Sequence, residues 1–238
     1  MFFLGDTHGE KRFMSDFLDS NEKYCIQLGD FGFIFKYNDY KWNHFINDFQ
    51  KKYPNKTIFT VLGNHENFDS IEKMPQVTKF GARCRKIRDN IFAVERGEIL
   101  QLEGKNILCV GGADSTDKQW REYGVSWWPQ ESISDDQVER AIGNGLSDKY
   151  ESIDIIASHA MPAFFMTKVF VNPYYSRSDY ALEKIYCDLV NNGREIPLWV
   201  GGHVHEYAFI EYNDTLVVSL AEGQGAILGS NGEFKLIN

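Results

Sequence analysis

Five times along this chain an apolar run ends in one or two small residues and then presents a side chain able to hold a metal ion. The five are Phe3-Leu4-Gly5-Asp6, Gln27-Leu28-Gly29-Asp30, Val61-Leu62-Gly63-Asn64, Ile156-Ala157-Ser158-His159 and Val200-Gly201-Gly202-His203. A small residue at that point lets the backbone turn sharply and come close to a buried ion. In Asp6-Thr7-His8 and His203-Val204-His205 the paired donors stand two residues apart, which in extended chain puts both on one face. The chain has 6 histidines, and all but His44 lie in these short segments.

The candidate ligands are therefore Asp6, His8, Asp30, Asn64, His159, His203 and His205. Carboxylates, one amide and imidazoles form a borderline-hard donor set. It suits Mn²⁺, Fe, Zn²⁺, Co²⁺ or Ni²⁺ and fits poorly with Ca²⁺ or a thiolate zinc site. So many ligands exceed the needs of one tetrahedral ion, and two divalent ions sharing a carboxylate is the economical reading. Two carboxylates and a bridging hydroxide supply about −3 against about +4 from the metals. Such a centre is slightly positive and activates water, which is what phosphoester hydrolysis requires.

Strand ends are rigid platforms, so donors just beyond them can converge at one edge of a sheet. The patterning supplies those strands. Residues 2–4, 24–28, 57–62, 153–157 and 198–200 are apolar or β-branched runs. Between them lie helix-like segments: Phe13, Met14, Phe17 and Leu18 at helical spacing, then residues 41–52 carrying Trp42, Phe45, Ile46 and Phe49 on one side. Residues 91–110 read as short strands joined by tight turns. Ser134 and Gln137 form a capping-box signature with Ile133 and Val138 as a hydrophobic staple, and Gly143 or Gly145 should end that helix. Ser178 is expected to cap a helix burying Leu182, Ile185 and Leu189 and closed by Gly193, and residue 207 to the end reads as a β-meander. The result is an α/β fold with mixed sheets. No repeat or linker divides the chain, so residues 1–238 are expected to form a single domain.

The formal net charge of −9 argues against broad, sequence-independent binding to nucleic acid. No apolar run is long enough to span a bilayer, and Met1-Phe2-Phe3-Leu4 meets Gly5-Asp6 without a basic flank, so no signal peptide or membrane association is expected. Cys25, Cys84, Cys109 and Cys187 are scattered without metal or redox spacing, and with no secretion signal a reducing, cytoplasmic setting is expected. The oligomeric state is not encoded legibly.

Gly5-Asp6-Thr7-His8-Gly9, Gly29-Asp30, Gly63-Asn64-His65-Glu66, Ser158-His159 and Gly202-His203-Val204-His205 resemble, in order, the motifs of the calcineurin-like metallophosphoesterase superfamily. The resemblance implies a four-layer α/β/β/α sandwich of two mixed sheets flanked by helices, with the metal site at the strand ends. It implies that Asp6, His8 and His205 bind a first ion and Asn64, His159 and His203 a second, with Asp30 bridging. His65 resembles the family's non-ligand histidine beside the leaving group, a role that suits imidazole. A metal-bridging hydroxide would attack phosphorus in line, and Mn²⁺ is the first metal to expect. The substrate is then a phosphoester: a monoester, including a protein-phosphatase substrate, is slightly favoured over the diester of a nucleotide or nucleic acid. A non-catalytic scaffold of the same fold would lack some ligands or the histidine, and here all are present.

One departure stands out. The superfamily's serine/threonine phosphatases carry an Asp-Arg pair just after the second motif, whereas this segment runs Gly29-Asp30-Phe31-Gly32-Phe33-Ile34. A phosphate clamp must come from elsewhere, and Arg121, in the Gly-rich stretch from Gly111 that continues to Trp127-Trp128, is the substrate-binding candidate. The tryptophans read as packing rather than base-stacking residues. The cluster Arg83, Arg85, Lys86 and Arg88 reads as a solvated face, with docking of an anionic substrate tail as the alternative. His44 reads as a surface residue and Cys25 as a small apolar one.

Overall fold

In this computed structural model the described residues are 1–34 and 40–237, the side chains of 40–43 excepted. The apolar runs ahead of the ligand segments form strands buried on both faces, as central strands with helices or a second sheet on each side must be. The first half supplies β1 (Phe2–Leu4), β2 (Tyr24–Gln27), β3 (Thr57–Thr60), β4 (Gln76–Lys79), β5 (Ala82–Arg88), β6 (Ile91–Val94) and β7 (Glu98–Leu102). The second supplies β8 (Lys105–Val110), β9 (Ile155–Ser158), β10 (Leu198–Gly201), β11 (Ala208–Tyr212), β12 (Thr215–Ser219), β13 (Gly225–Leu228) and β14 (Phe234–Ile237).

Two sheets result. One has the order β14-β13-β1-β2-β3-β6-β5-β4 and the other β11-β12-β10-β9-β8-β7. Both are mixed: β1, β2, β3 and β6 are parallel neighbours, as are β8, β9, β10 and β12, while the outer strands pair antiparallel. Strand alternation sorts the side chains into three cores. Phe3, Ile26 and Phe59 meet Cys109, Ala157 and Val200 between the sheets. Phe2, Leu4, Cys25 and Ile58 face the other way, onto Phe17 of α1 (Ser15–Asp19), Ile46 and Phe49 of α2 (Tyr40–Lys52) and Ile71 of α3 (Phe68–Glu72). On the opposite outer face Leu108, Ile156 and Trp199 pack against α4 (Asp135–Gly145), α5 (Ala163–Val169) and α6 (Arg177–Asn191). The layers are thus helix, sheet, sheet, helix, as expected.

Several elements behave as the sequence predicts. Ser134 and Gln137 form both halves of the capping box, and α4 runs through Gly145. Cys25 is buried in β2, and Trp128 is buried as packing. His44 is exposed and lies 3.3 Å from Asp48. The side chain of Trp42 lies outside the described residues.

Others differ. The cap of α6 is Ser176, whose box partner is Asp179. Ser178 instead donates its N–H to Asp114 and accepts the N–H of Ile133 on its hydroxyl, tying α6 to the neighbouring loop. The final strands are not one meander: β11 and β12 complete the second sheet, and the chain then crosses to the first, where β13 pairs antiparallel with β1. The hairpin β4–β5 was hidden because its residues are largely polar, and α5 because it lacks a side-chain cap. The basic cluster lies on or beside β5 and is spent locally: Arg83 pairs with Glu98, Arg85 with Glu95, Lys86 with Asp89, and Arg88 hydrogen-bonds Asn47. That pairing is what a solvated charged face would show. Among the described residues no helix is long and apolar enough to cross a membrane.

Candidate metal centre

All five ligand segments follow the C-terminal ends of parallel strands, β1, β2 and β3 in one sheet and β9 and β10 in the other. Gln27, buried at the end of β2, ties the first three together. Its amide donates to the carbonyls of Gly29 and Gly5, while its carbonyl accepts from the Gly29 N–H and the Thr60 hydroxyl. The turns are tight enough that glycine is required. A Cβ on Gly63 would fall on the Asp30 carboxylate, and one on Gly29, whose φ is +93°, would lie 2.5 Å from Nδ1 of His159.

The donors gather in two groups, Asp6–His8–His205 and Asp30–His159–His203, and the ligand atoms within each lie within 4.8 Å of one another. In the first, Nε2 of His205 is 3.1 Å from Oδ2 of Asp6 and 3.1 Å from Nε2 of His8. In the second, Nε2 of His159 is 3.4 Å from Oδ1 of Asp30 and 3.1 Å from Oδ1 of Asn64. Asp30 also faces the first group, its Oδ2 lying 3.8 Å from Nε2 of His8. The structure therefore brings all seven predicted donors together, with Asp30 between the groups.

The donor chemistry fits cations. Nδ1 of His159 lies 2.7 Å from the Leu28 carbonyl, which can only accept, so Nδ1 is a donor, and Nε2 is the ring atom that faces two oxygens, of Asp30 and Asn64. Three electron-rich atoms converge only if a cation or a proton sits among them. The carboxylates are held in turn by backbone: Asp6 accepts the His203 N–H and Asp30 the His65 N–H. Strain marks the same place. His8, Asp30, His203 and His205 have φ of +45°, +48°, +69° and +57°, a left-handed region that costs non-glycine residues energy and persists where the surroundings over-determine it.

Electrostatics follow from burial and these neighbours. Burial pushes the Asp30 carboxyl up, but the charge and hydrogen bond of His159, with His65, hold it well below the usual carboxylate range. Burial opposes protonation of His159, yet Asp30 and Asp6 raise it to about 9. His203 falls to about 4 through burial and the charge of His159.

His65 is half-buried, and its Nε2 lies 2.8 Å from Nη2 of Arg121. The guanidinium reaches this position through a bond from its Nε to Asp117, 2.6 Å away, and a 3.4 Å contact of Nη1 with the Ser126 carbonyl. Burial, helped by the charges of Arg121, His8 and His159, lowers the His65 pKa despite Asp30.

Three supporting residues escaped sequence reasoning. Glu66 accepts the Phe31 N–H and is wholly buried, and burial with the nearby charge of Asp30 raises it to about 8. It joins the loop after β2 to the loop after β3. Ser115 accepts from the Asn64 amide at 3.1 Å and donates to Glu131 at 2.7 Å, all three side chains being buried. Ser115 falls in the Gly-rich stretch flagged for Arg121, but nothing in the local sequence singles it out.

A family model described as calcineurin-like phosphoesterase matches residues 2–207. No curated protein matches the chain. Among solved structures, the chain is similar to TT1561 of Thermus thermophilus, at 10% identity and a TM-score of 0.56, covering 100% of this chain and 98% of that one. It is also similar to GAP50, described as the anchor in the inner membrane complex of Plasmodium, at 14% identity and a TM-score of 0.54, covering 100% and 84%. At such identities these likenesses speak to the fold alone.

Proposed function

This chain belongs to the calcineurin-like phosphoesterase family, and on that premise we propose that it is a dinuclear metal-dependent phosphoesterase. The observation that carries the reading is Asp30 standing between two donor groups, with Nε2 of His159 facing the oxygens of Asp30 and Asn64. A fold of this kind also serves an anchor protein. The full set of donors here, with His65 beside them, favours catalysis over such a role.

Asp6, His8 and His205 would hold one divalent ion, Asn64, His159 and His203 the other, and Asp30 both. Bound there, two ions would polarise the phosphoryl oxygens and supply a water-derived nucleophile at neutral pH. The chain's own residues do the rest. His65, held by its backbone N–H to Asp30, stands ready to assist the leaving oxygen. Arg121 occupies Nε2 of His65. An incoming phosphate is the stronger attraction for a guanidinium, so its arrival draws Arg121 away and leaves Nε2 free to take a proton from water and pass it to the leaving oxygen. Arg121 then replaces the absent Asp-Arg pair as the phosphate clamp.

A monoester is favoured over a polynucleotide by the net charge of −9 and by the local pairing of the Arg83–Arg88 cluster. Mn²⁺ is the proposed metal, and the cysteine usage, with Cys25, Cys84, Cys109 and Cys187 all free, favours a cytoplasmic setting. The test is a metal-by-substrate matrix of p-nitrophenyl phosphate against bis-p-nitrophenyl phosphate, nucleotides, phosphopeptides and short DNA, with EDTA as control. The monoester should turn over fastest with Mn²⁺. Absence of metal-dependent turnover with every ester would overturn the hydrolase reading, and preference for the diester would reassign the class.

A further inference from the structure

Beside the second donor group lies a cavity of about 390 Å³, at the small end of the range for small-molecule pockets. It is bounded by the end of α5, the chain that follows, the start of α6 and the 114–116 segment, and His203 forms part of its wall. The wall is apolar and aromatic through Met166, Phe170, Pro173, Tyr174 and Val204. Its polar lining includes Asp114, Thr116 and Asp179, and contains no lysine or arginine among the described residues.

The carboxylates there are fixed. Asp114 accepts from the Ser132 hydroxyl and from the Ser178 N–H at 2.8 Å, and Asp179 accepts from the Ser176 N–H at 2.7 Å. Arg177, at the start of α6, is turned to Asp135 at 2.7 Å. Two anchored acids in an apolar wall repel a second phosphate or carboxylate and attract an ammonium or other donor. Because the cavity opens next to His203, a phosphoryl group lying on the metal centre can place its organic substituent there.

We infer that this cavity receives the organic group of the ester and selects an apolar group ending in a cationic or hydrogen-bond-donating function over one ending in a negative charge. The inference rests on the phosphoesterase reading and adds a substrate class to it: esters of apolar amino- or hydroxy-bearing alcohols, not polyphosphates or nucleotide chains.

Two measurements separate the ideas, binding on the Zn²⁺-loaded protein, where the ion is diamagnetic, and turnover on the Mn²⁺-loaded protein. Ligand-observed NMR with benzylammonium and benzenesulfonate should show the cation binding about tenfold tighter, with Asp179→Asn bringing that ratio below about threefold and Phe170→Ala weakening the binding of benzylammonium. Equal affinities, a tighter sulfonate, or indifference to both substitutions would overturn the inference. Turnover is then compared for 4-(aminomethyl)benzyl phosphate and 4-carboxybenzyl phosphate, whose reacting centres match. A kcat/KM ratio of about ten or more in favour of the amine, arising in KM, supports the inference, and equal turnover refutes it. Protein that prefers benzylammonium yet hydrolyses neither ester contradicts the hydrolase reading instead.

Discussion

Ser115→Ala removes one hydroxyl and no proposed ligand. In the native fold that hydroxyl takes the Asn64 amide proton at 3.1 Å and gives its own to Glu131 at 2.7 Å. The bond fixes which end of the amide faces the centre: with Nδ2 turned to Ser115, Oδ1 faces His159. Alanine leaves a buried N–H without an acceptor, at a cost of about 1–3 kcal/mol, and frees the amide to flip. Loss of such a support weakens metal binding by about 10–100-fold, equivalent to about 1.4–2.7 kcal/mol. The loss should be confined to one ion, because Asp6, His8 and His205 do not touch Ser115. Calorimetric titration with Mn²⁺ should therefore show a tight first step close to wild type and a weakened second, with excess Mn²⁺ restoring most of kcat. Ser115→Thr keeps the hydroxyl and should restore the second step. If Ser115→Ala binds both ions with native affinity and loses only thermal stability, the Ser115–Glu131 pair merely supports the fold and the reasoning fails.

Asp30→Asn should impair binding of both ions, since one carboxylate faces both groups; full occupancy by inductively coupled plasma analysis would reject the bridge. His65→Ala should keep its metals while kcat falls by about 10²–10⁴-fold, and an unchanged kcat would remove it from the reaction. Arg121→Ala should lower kcat/KM for phosphomonoesters, and an unaltered value would exclude it as the clamp. Burial, assisted by the charge of Asp114, raises Asp179 from an ordinary 3.8 to about 6. Between those values the folded state holds a proton the unfolded chain lacks, so this group's contribution to stability falls as pH rises from about 4 to about 6, by about 3 kcal/mol at most. Asp179→Asn should accordingly be more stable relative to wild type at pH 8 than at pH 4.5 in urea unfolding, and a pH-independent difference would refute the assignment.

The identities of the donors were legible in the sequence because a strand, a small residue and a metal-competent side chain form a local pattern, repeated at each of five strand ends. The two-residue spacings of Asp6 with His8 and of His203 with His205 marked the donors, but not for the reason expected: the backbone there is left-handed rather than extended, and His203 and His205 serve different groups. The capping box of Ser134 and Gln137 forms as its local pattern predicts. The double burial of the strands was also readable, since their apolar runs leave no polar face for solvent. What the tertiary structure alone decided depends on partners far along the chain. It sends β13 across to pair with β1, turns Asp30 between His8 and His159, and sets Ser115 and Glu131 behind Asn64 and Arg121 against His65. Nor does any local preference place His8, Asp30, His203 and His205 in left-handed backbone, which non-glycine residues avoid. Only the combined packing of two sheet edges holds them there, because the energy that offsets the strain comes from contacts the local sequence does not contain.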